Sequence, residues 1–554
     1  MSGTVVGAGR VVQVRDLRVE FETGDGTLAA LKGVSLDIAA GEIVALVGES
    51  GSGKSVFASC LMGLPPVSRR TTVTGSVQVA GVDMIDGEDG SRREVRRNLI
   101  GAVFQDPLTS LDPTMRIGDQ VCERGADEAR GVLALTDCGV PEPEMRMRQW
   151  PHVLSGGLRQ RASIAGAIST DVRPPQGTGE DARRIAELTA ARDGTPVLLV
   201  ADEPTTALDV RVQAQIIALF ARLRQEHGCS IVLITHDLGV AAQIADRIAV
   251  MYAGEICELG PAAEVLAHPQ HDYTRRLLAA RLDVNKVVTR ERPLAPTPQV
   301  DGPDPAPVLA VHDIVKTFPR QGGRRGDVFT AVGGVSLAVP PGGSLALVGE
   351  SGCGKSTLLR IATGLTKPDS GTVEVTGSAR PQLVFQDAGS SLTPWLSVNS
   401  QLVERLRTRG LSRTDSAAAA ADLLERVGLD PRMGRARPRE LSGGQRQRAA
   451  IARALASSPQ ILVCDEPVSA LDASLAARVL DLLDELRVTL GVAILMVTHD
   501  LAVARRIAED LAVMYAGEIV ERGSVEAVFA DPQHAYTRDL IAASPTIYRS
   551  ATGS

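Results

Sequence analysis

Short runs that are apolar at consecutive positions recur along this chain, and each stops at a polar or glycine-rich segment. Ile43 to Val47 and Leu345 to Val348 run into glycine-rich loops. Val197 to Ala201 and Ile461 to Cys464 stop at the acidic pairs Asp202-Glu203 and Asp465-Glu466. Ile231 to Ile234 and Ala493 to Val497 stop just before His236 and His499. Runs this short, apolar on both faces, predict buried parallel strands. Segments with helical periodicity, such as Arg211 to Glu226 and Ser474 to Leu490, separate them. Open α/β sheets bind ligands beyond the C-terminal ends of their strands, which is where the polar segments fall.

The pattern occurs twice. Gly48-Glu-Ser-Gly-Ser-Gly-Lys-Ser55 returns as Gly349-Glu-Ser-Gly-Cys-Gly-Lys-Ser356, and Val103-Phe-Gln-Asp106 as Val384-Phe-Gln-Asp387. Leu154-Ser-Gly-Gly-Leu-Arg-Gln-Arg161 returns as Leu441-Ser-Gly-Gly-Gln-Arg-Gln-Arg448, and Thr235-His-Asp237 as Thr498-His-Asp500. Met251-Tyr-Ala-Gly-Glu-Ile256 returns as Met514-Tyr-Ala-Gly-Glu-Ile519. The order is preserved, so the chain is a duplicated domain and not a short-period solenoid. The first half is 20 residues longer between its glycine loop and Gln105, 6 shorter from there to Ser155, and 24 longer from Ser155 to Asp202. The last excess, around Thr170 to Thr195, is expected to be an exposed insertion without a catalytic part, with a short helix over Glu180 to Arg192. Six prolines between Asn285 and Pro307 mark a linker. The expected organisation is a first domain over 1–284, a proline-rich linker over 285–307 and a second domain over 308–554.

Gly-x-x-x-x-Gly-Lys-Ser between a strand and a helix is a phosphate cradle. Glycines let backbone N–H groups converge on phosphate oxygens, and the helix N-terminus faces the same point. The fold class is therefore α/β, two tandem P-loop domains. The candidate nucleotide contacts are Gly48, Ser50, Gly51, Gly53, Lys54 and Ser55 in the first half. In the second they are Gly349, Ser351, Gly352, Gly354, Lys355, Ser356 and Thr357. The lysines reach β- and γ-phosphates, and Ser55 and Ser356 are placed to ligate Mg²⁺. Asp202 and Asp465, at strand ends, are the carboxylates expected to hold that ion or its water shell. Glu203 and Glu466, one residue on, are the candidate general bases for an attacking water. An isolated histidine is more often structural than catalytic. Both halves, however, place His236 or His499 34 residues after the aspartate, which favours a γ-phosphate contact.

Composition narrows the class. A net charge of −7 gives no reason to expect a nucleic-acid partner. No run of 18 apolar residues is present, so no bilayer-spanning segment is read, and Met1 to Arg10 has no basic segment followed by an apolar stretch, so no signal peptide is expected. Seven scattered cysteines without a Cys-x-x-Cys pair argue against zinc, an iron–sulfur cluster or disulfides, and fit a reducing cytoplasm. Cys353, inside the second glycine loop, is either a reactive thiol acidified by the helix N-terminus or a small space-filling residue.

Taken together, these motifs resemble the ATP-binding-cassette (ABC) ATPases over nearly the whole chain. Leu-Ser-Gly-Gly followed by Arg-Gln-Arg is similar to the ABC signature. Ala207-Leu-Asp209 and Ala470-Leu-Asp472 are similar to the D-loops, and Gln105 and Gln386 to the Q-loop glutamines that sense γ-phosphate and Mg²⁺. The resemblance implies that Phe21 and Phe318 stack on adenine, although either is equally a core residue and Phe329 competes with Phe318. It also implies two composite sites. One joins Lys54, Asp202, Glu203 and His236 to Ser442, Gly443 and Gly444; the other joins Lys355, Asp465, Glu466 and His499 to Ser155, Gly156 and Gly157. Both halves keep the lysine, both carboxylates and the histidine, so two hydrolytic sites are expected despite Leu158 standing where the second half has Gln445.

Finer features resemble the importer branch for dipeptides, oligopeptides, nickel and related solutes. They are Gln105-Asp-Pro-Leu-Thr-Ser-Leu-Asp-Pro113, Trp150-Pro-His152, and the tails His268-Pro-Gln-His-Asp-Tyr-Thr-Arg275 and Asp531-Pro-Gln-His-Ala-Tyr-Thr-Arg538. Some members carry a cysteine cluster in this tail; with only Cys257 nearby, none is expected here. The resemblance implies ATP and Mg²⁺ as cofactors, and two transmembrane permease subunits and an extracytoplasmic solute-binding protein as partners. It also implies one fused chain per transporter, at the cytoplasmic face of the membrane. The rival is a soluble tandem ABC translation factor on the ribosome. Such proteins carry a long basic helical linker, whereas this join is short, proline-rich and contains Asp301 and Asp304.

Overall fold

The computed structural model describes residues 9–23, 26–66, 71–105, 110–169, 179–192, 194–205, 208–281, 306–319, 328–377, 380–386, 388–469 and 471–544. Asp106 and Asp387, the alanines of both Ala-Leu-Asp motifs, residues 170–178, and all of the expected linker except residues 306–307 lie outside them. The described residues form two compact units, the first holding the elements up to Arg281 and the second every element from Leu309 onward.

In the first unit a six-stranded sheet runs in the order Glu255–Pro261, Arg247–Tyr252, Ile43–Val47, Ser230–Thr235, Leu198–Asp202, Ile100–Val103. All neighbours are parallel except the first pair, which is antiparallel. Every residue of Ile43–Val47 and of Ser230–Thr235 is buried, as continuous apolar runs require. The second unit repeats the sheet as Gln382–Val384, Ile461–Asp465, Ala493–Thr498, Ser344–Val348, Asp510–Tyr515, Glu518–Ser524. The helices read from periodicity are Val210–His227 and Ala473–Leu490.

Each unit also holds an antiparallel sheet that the sequence reading did not specify. In the first, Arg10–Thr23 pairs with Gly26–Ala39 on one side and Thr71–Val79 on the other. The second pairs Leu309–Pro319 with Val328–Val339 and Ser370–Val375. Alternation is present, with Val12, Val14 and Val19 buried and their neighbours more exposed. Irregular register between Val14 and Leu17 interrupts the period of two, and that obscures the signal. Helical layers follow the Gln105 and Gln386 segments, ending in Gly156–Ile168 and Gly443–Leu455. Each unit closes with two short helices, Ala262–Ala267 and Asp272–Ala280 in the first, Val525–Ala530 and Ala535–Ala543 in the second.

The insertion near Thr170 departs from expectation. Its helix, Glu180–Ala190, forms as read, but it is not a bare exposed excursion. Ile185 is 1% exposed and belongs to the core cluster that contains Val95, Leu99 and Val197. The partner is Asp89–Asn98, a helix inside the first half's other excess stretch. The two lengths of chain peculiar to the first half thus cover one another, because each brings an amphipathic helix that needs an apolar surface to bury.

Candidate functional site

The glycine loops lie between a buried strand and a helix in both units. Gly53 is the N-cap of Lys54–Leu61 at φ 104°, and Gly354 is the N-cap of Lys355–Ala362 at φ 109°. Any side chain is strained there. A Cβ on Gly354 would stand 2.0 Å from the carbonyl oxygen of Ala331. Lys54 and Lys355 are buried, at 6% and 5% exposure. Lys54 Nζ donates to the carbonyls of Gly48 (2.7 Å) and Glu49 (2.8 Å); Lys355 Nζ donates to Gly349 (2.8 Å) and Glu350 (2.7 Å). The loop carbonyls thereby hold each ammonium inside the cradle. Ser50, Gly51, Ser351 and Gly352 are exposed on the loop, and Thr357 is half-buried in the helix behind it.

Beside each loop stand a hydroxyl and a carboxylate. Ser356 Oγ lies 3.4 Å from Asp465 Oδ1, and in the first unit Ser55 acts to lower the pKa of Asp202. Burial raises the pKa of both aspartates, and the neighbouring glutamate charge adds to it. The serine hydroxyl and the loop lysine oppose the rise. A hydroxyl and a carboxylate are hard oxygen donors, a set that fits Mg²⁺.

The next residue carries an unusual backbone. Glu203 has φ 47° and Glu466 φ 45°, in the left-handed region that non-glycine residues seldom adopt. Each is pinned there by its own N–H, donated to Ile234 O or Val497 O at 2.9 Å. Strain of this kind costs about 1–3 kcal/mol and persists where surrounding structure enforces it. The consequence is a carboxylate turned towards two partners. Gln105 Nε2 donates to Glu203 Oε2 at 2.8 Å, and His236 Nδ1 lies 3.3 Å from Glu203 Oε1. In the second unit Gln386 Nε2 donates to Glu466 Oε2 at 3.2 Å, and His499 Nδ1 lies 3.1 Å from Glu466 Oε1. Burial pulls both histidines down, but the hydrogen bond and charge of the glutamate outweigh it, and both pKa values end above the ordinary histidine value. Burial raises Glu466 and the His499 contact lowers it, with a net depression. The flanking Thr and Asp fix each histidine: Asp237 and Asp500 cap the following helices and donate their own N–H to Thr235 and Thr498.

Each unit therefore brings together its lysine, serine, aspartate, glutamate, histidine and glutamine. Ser469, absent from the sequence reading, joins the second cluster, accepting from Gln386 Nε2 at 3.3 Å. Ser155 and Ser442 sit as N-caps of the helices that begin Gly156-Gly157 and Gly443-Gly444. Phe21 is half-buried and packs against the core. Phe318 is 41% exposed, faces Phe329 across the hairpin and lies under Lys316 Nζ at 5.6 Å. Cys353 is 8% exposed, and burial pushes its thiol up despite Lys355 nearby, which favours the space-filling reading over the reactive one. It behaves as a small core residue, since desolvation outweighs the helix terminus.

A family profile described as "ABC transporter" matches residues 31–173 and 332–469. A second, "Oligopeptide/dipeptide transporter, C-terminal region", matches 257–301 and 520–553. The peptidoglycan transport ATP-binding protein YejF of Agrobacterium fabrum is 40% identical, with 96% of each chain covered. The glutathione import ATP-binding protein GsiA of Escherichia coli is 38% identical, covering 97% of this chain and 90% of its own. A solved bacterial ABC transporter cassette matches 39% of this chain and 98% of its own at 29% identity, with a TM-score of 0.36. Among the described residues no helix is long and apolar enough to cross a membrane. The cradle, the acidic strand ends, the family profile over both halves and the two full-length relatives lead to one conclusion: the chain belongs to the ABC transporter family, as an ATP-binding, ATP-hydrolysing protein that carries the family's cassette twice.

Proposed function

We propose that this chain powers import of peptides or related solutes through a pore supplied by two membrane permease subunits, with an extracytoplasmic binding protein delivering the cargo. The carrying observation is the Gln–Glu–His cluster beside each buried loop lysine, repeated with the same partners in both units. The oligopeptide/dipeptide C-terminal region in both halves supports the cargo class. So do relatives named for glutathione and peptidoglycan. The reading places the chain at the cytoplasmic face of the membrane and leaves nickel and other solutes of this branch as alternatives to be tested.

In this account Lys54 and Lys355 exchange loop carbonyls for phosphate oxygens. Glu203 and Glu466 orient a water and take its proton as its oxygen bonds to the γ-phosphorus. The bond to the bridging oxygen breaks, leaving ADP and phosphate. His236 and His499 hold the glutamate carboxylates and donate towards the γ-phosphate, and Gln105 and Gln386 report occupancy of the site. Ser55, Asp202 and Gln105, with Ser356, Asp465 and Gln386 in the second half, are the residues that would hold Mg²⁺, which supplies charge neutralisation on the β- and γ-oxygens. Phe21 and Phe318 serve the adenine. ATP drives the cycle by binding one conformation of the transporter better than the other.

The test is purification of the full chain from detergent-extracted membranes, with ATPase and solute-uptake assays on the reconstituted assembly. The proposal expects two membrane subunits to co-purify and peptide to be taken up only with hydrolysable ATP. Co-purification with ribosomal RNA instead would overturn it.

A further inference from the structure

The segments after each sheet return to the glycine loop, and they do so identically in both units. In the first, Glu258 accepts the N–H groups of Gln270 (2.8 Å) and His271 (3.0 Å), and His271 Nδ1 accepts the N–H of Tyr273 (3.1 Å). These contacts fix the start of the helix Asp272–Ala280 and aim Tyr273 inward, where it is 3% exposed. Its ring lies against Tyr252 with centroids 4.3 Å apart. Its hydroxyl oxygen accepts the backbone N–H of Glu49 at 3.0 Å. The second unit repeats each contact. Glu521 accepts from Gln533 and His534, and His534 Nδ1 accepts from Tyr536. Tyr536 lies against Tyr515 at 4.4 Å and accepts the N–H of Glu350 at 2.9 Å.

Glu49 is also the residue whose carbonyl accepts from Lys54 Nζ, and Glu350 does the same for Lys355. One residue therefore links the tail tyrosine, through its N–H, to the loop lysine, through its C=O. The strand turn preceding the tail grips the loop from another side: Gly254 donates to Ser52 O and Gly517 to Cys353 O, both at 3.1 Å.

We propose that Tyr273 and Tyr536 are positioning residues for ATP binding, each holding its own glycine loop, through Glu49 or Glu350, in the shape that presents the lysine to phosphate. The C-terminal region is then part of the nucleotide site without touching nucleotide. A loop that loses this acceptor from a part-buried N–H reorients to find another, and the lysine carbonyl cradle moves with it. This inference rests on the reading of the glycine loops as triphosphate cradles.

The test uses the full chain carrying Tyr273→Phe and Tyr536→Phe together, which keeps both ring contacts and removes only the hydroxyls. ATP affinity by equilibrium titration is expected to weaken about threefold to tenfold. The KM for ATP should rise in parallel while kcat changes less than about twofold. A chain carrying Tyr252→Phe and Tyr515→Phe removes the hydroxyl of the other ring in each pair while keeping the ring contact; it is expected to bind ATP as wild type does. Equal ATP affinity in the two double variants would overturn the inference. A chain with Lys54→Ala and Lys355→Ala separates the underlying reading: if it still binds ATP normally, the cradle assignment itself fails.

Discussion

At the scale of single residues, the positive φ of Glu203 and Glu466 and the Gln–Glu–His contacts they enforce distinguish these carboxylates from ordinary strand-end acids. Losing a general base typically costs ~10²- to 10⁴-fold in rate. Glu203→Gln and Glu466→Gln are each expected to lower steady-state ATPase turnover, and together to bring it down by that full range, measured by phosphate release. The second expectation concerns protonation. The raised pKa of His499 means its charge is fully present below the ordinary histidine value and is lost as pH rises through the raised value. Burial opposes that charge and Glu466 sustains it. Glu466→Gln is therefore expected to lower the His499 pKa, read from imidazole resonances across a pH titration; an unchanged midpoint would contradict the pairing. A third contrast isolates sterics from strain in the glycine loop. A Cβ at Gly354 meets a backbone oxygen, while one at Gly352 (φ 84°) meets nothing within 4 Å. Gly354→Ala is expected to lose more stability than Gly352→Ala, by more than ~1 kcal/mol in denaturant melts.

At the scale of elements, the two signature helices differ where the chain has Leu158 in one half and Gln445 in the other. Ser442 accepts the N–H of Gln445, and Gln445 Oε1 accepts the N–H of Ser442, a reciprocal cap. Ser155 accepts from Leu158 N without the return bond. Gln445→Leu is expected to cost about 0.5–1 kcal/mol and Leu158→Gln to recover a similar amount, both by chemical denaturation. The strands that carry the motifs were legible because burial on both faces leaves uninterrupted apolar runs, and Ile43–Val47 begins and ends where the pattern does. The glycine loops and acidic ends were legible because their chemistry needs particular residue types at fixed spacing. The antiparallel sheets were not, since their irregular registers break the alternation. Nor was the packing of Glu180–Ala190 on Asp89–Asn98: periodicity shows that a helix has an apolar face, not which distant helix covers it. The tail tyrosines appeared in the sequence only as part of a family-like motif, because a hydroxyl meeting a backbone N–H 224 residues earlier leaves no local pattern.

At the scale of the whole molecule, duplication within one chain has preserved two full sets of site residues, and the lysine–loop, Gln–Glu and Glu–His contacts recur in both. Covalent fusion supplies the two cassettes in fixed one-to-one proportion. The central claim is that both halves bind and hydrolyse ATP. It is tested most directly by counting nucleotide on the full chain carrying Glu203→Gln and Glu466→Gln, whose slowed turnover leaves ATP in place during the measurement, by equilibrium dialysis with labelled ATP. The expected result is two ATP per chain, falling to fewer with Lys54→Ala or with Lys355→Ala. Saturation at one ATP per chain, unaffected by one of the two lysine changes, would contradict it.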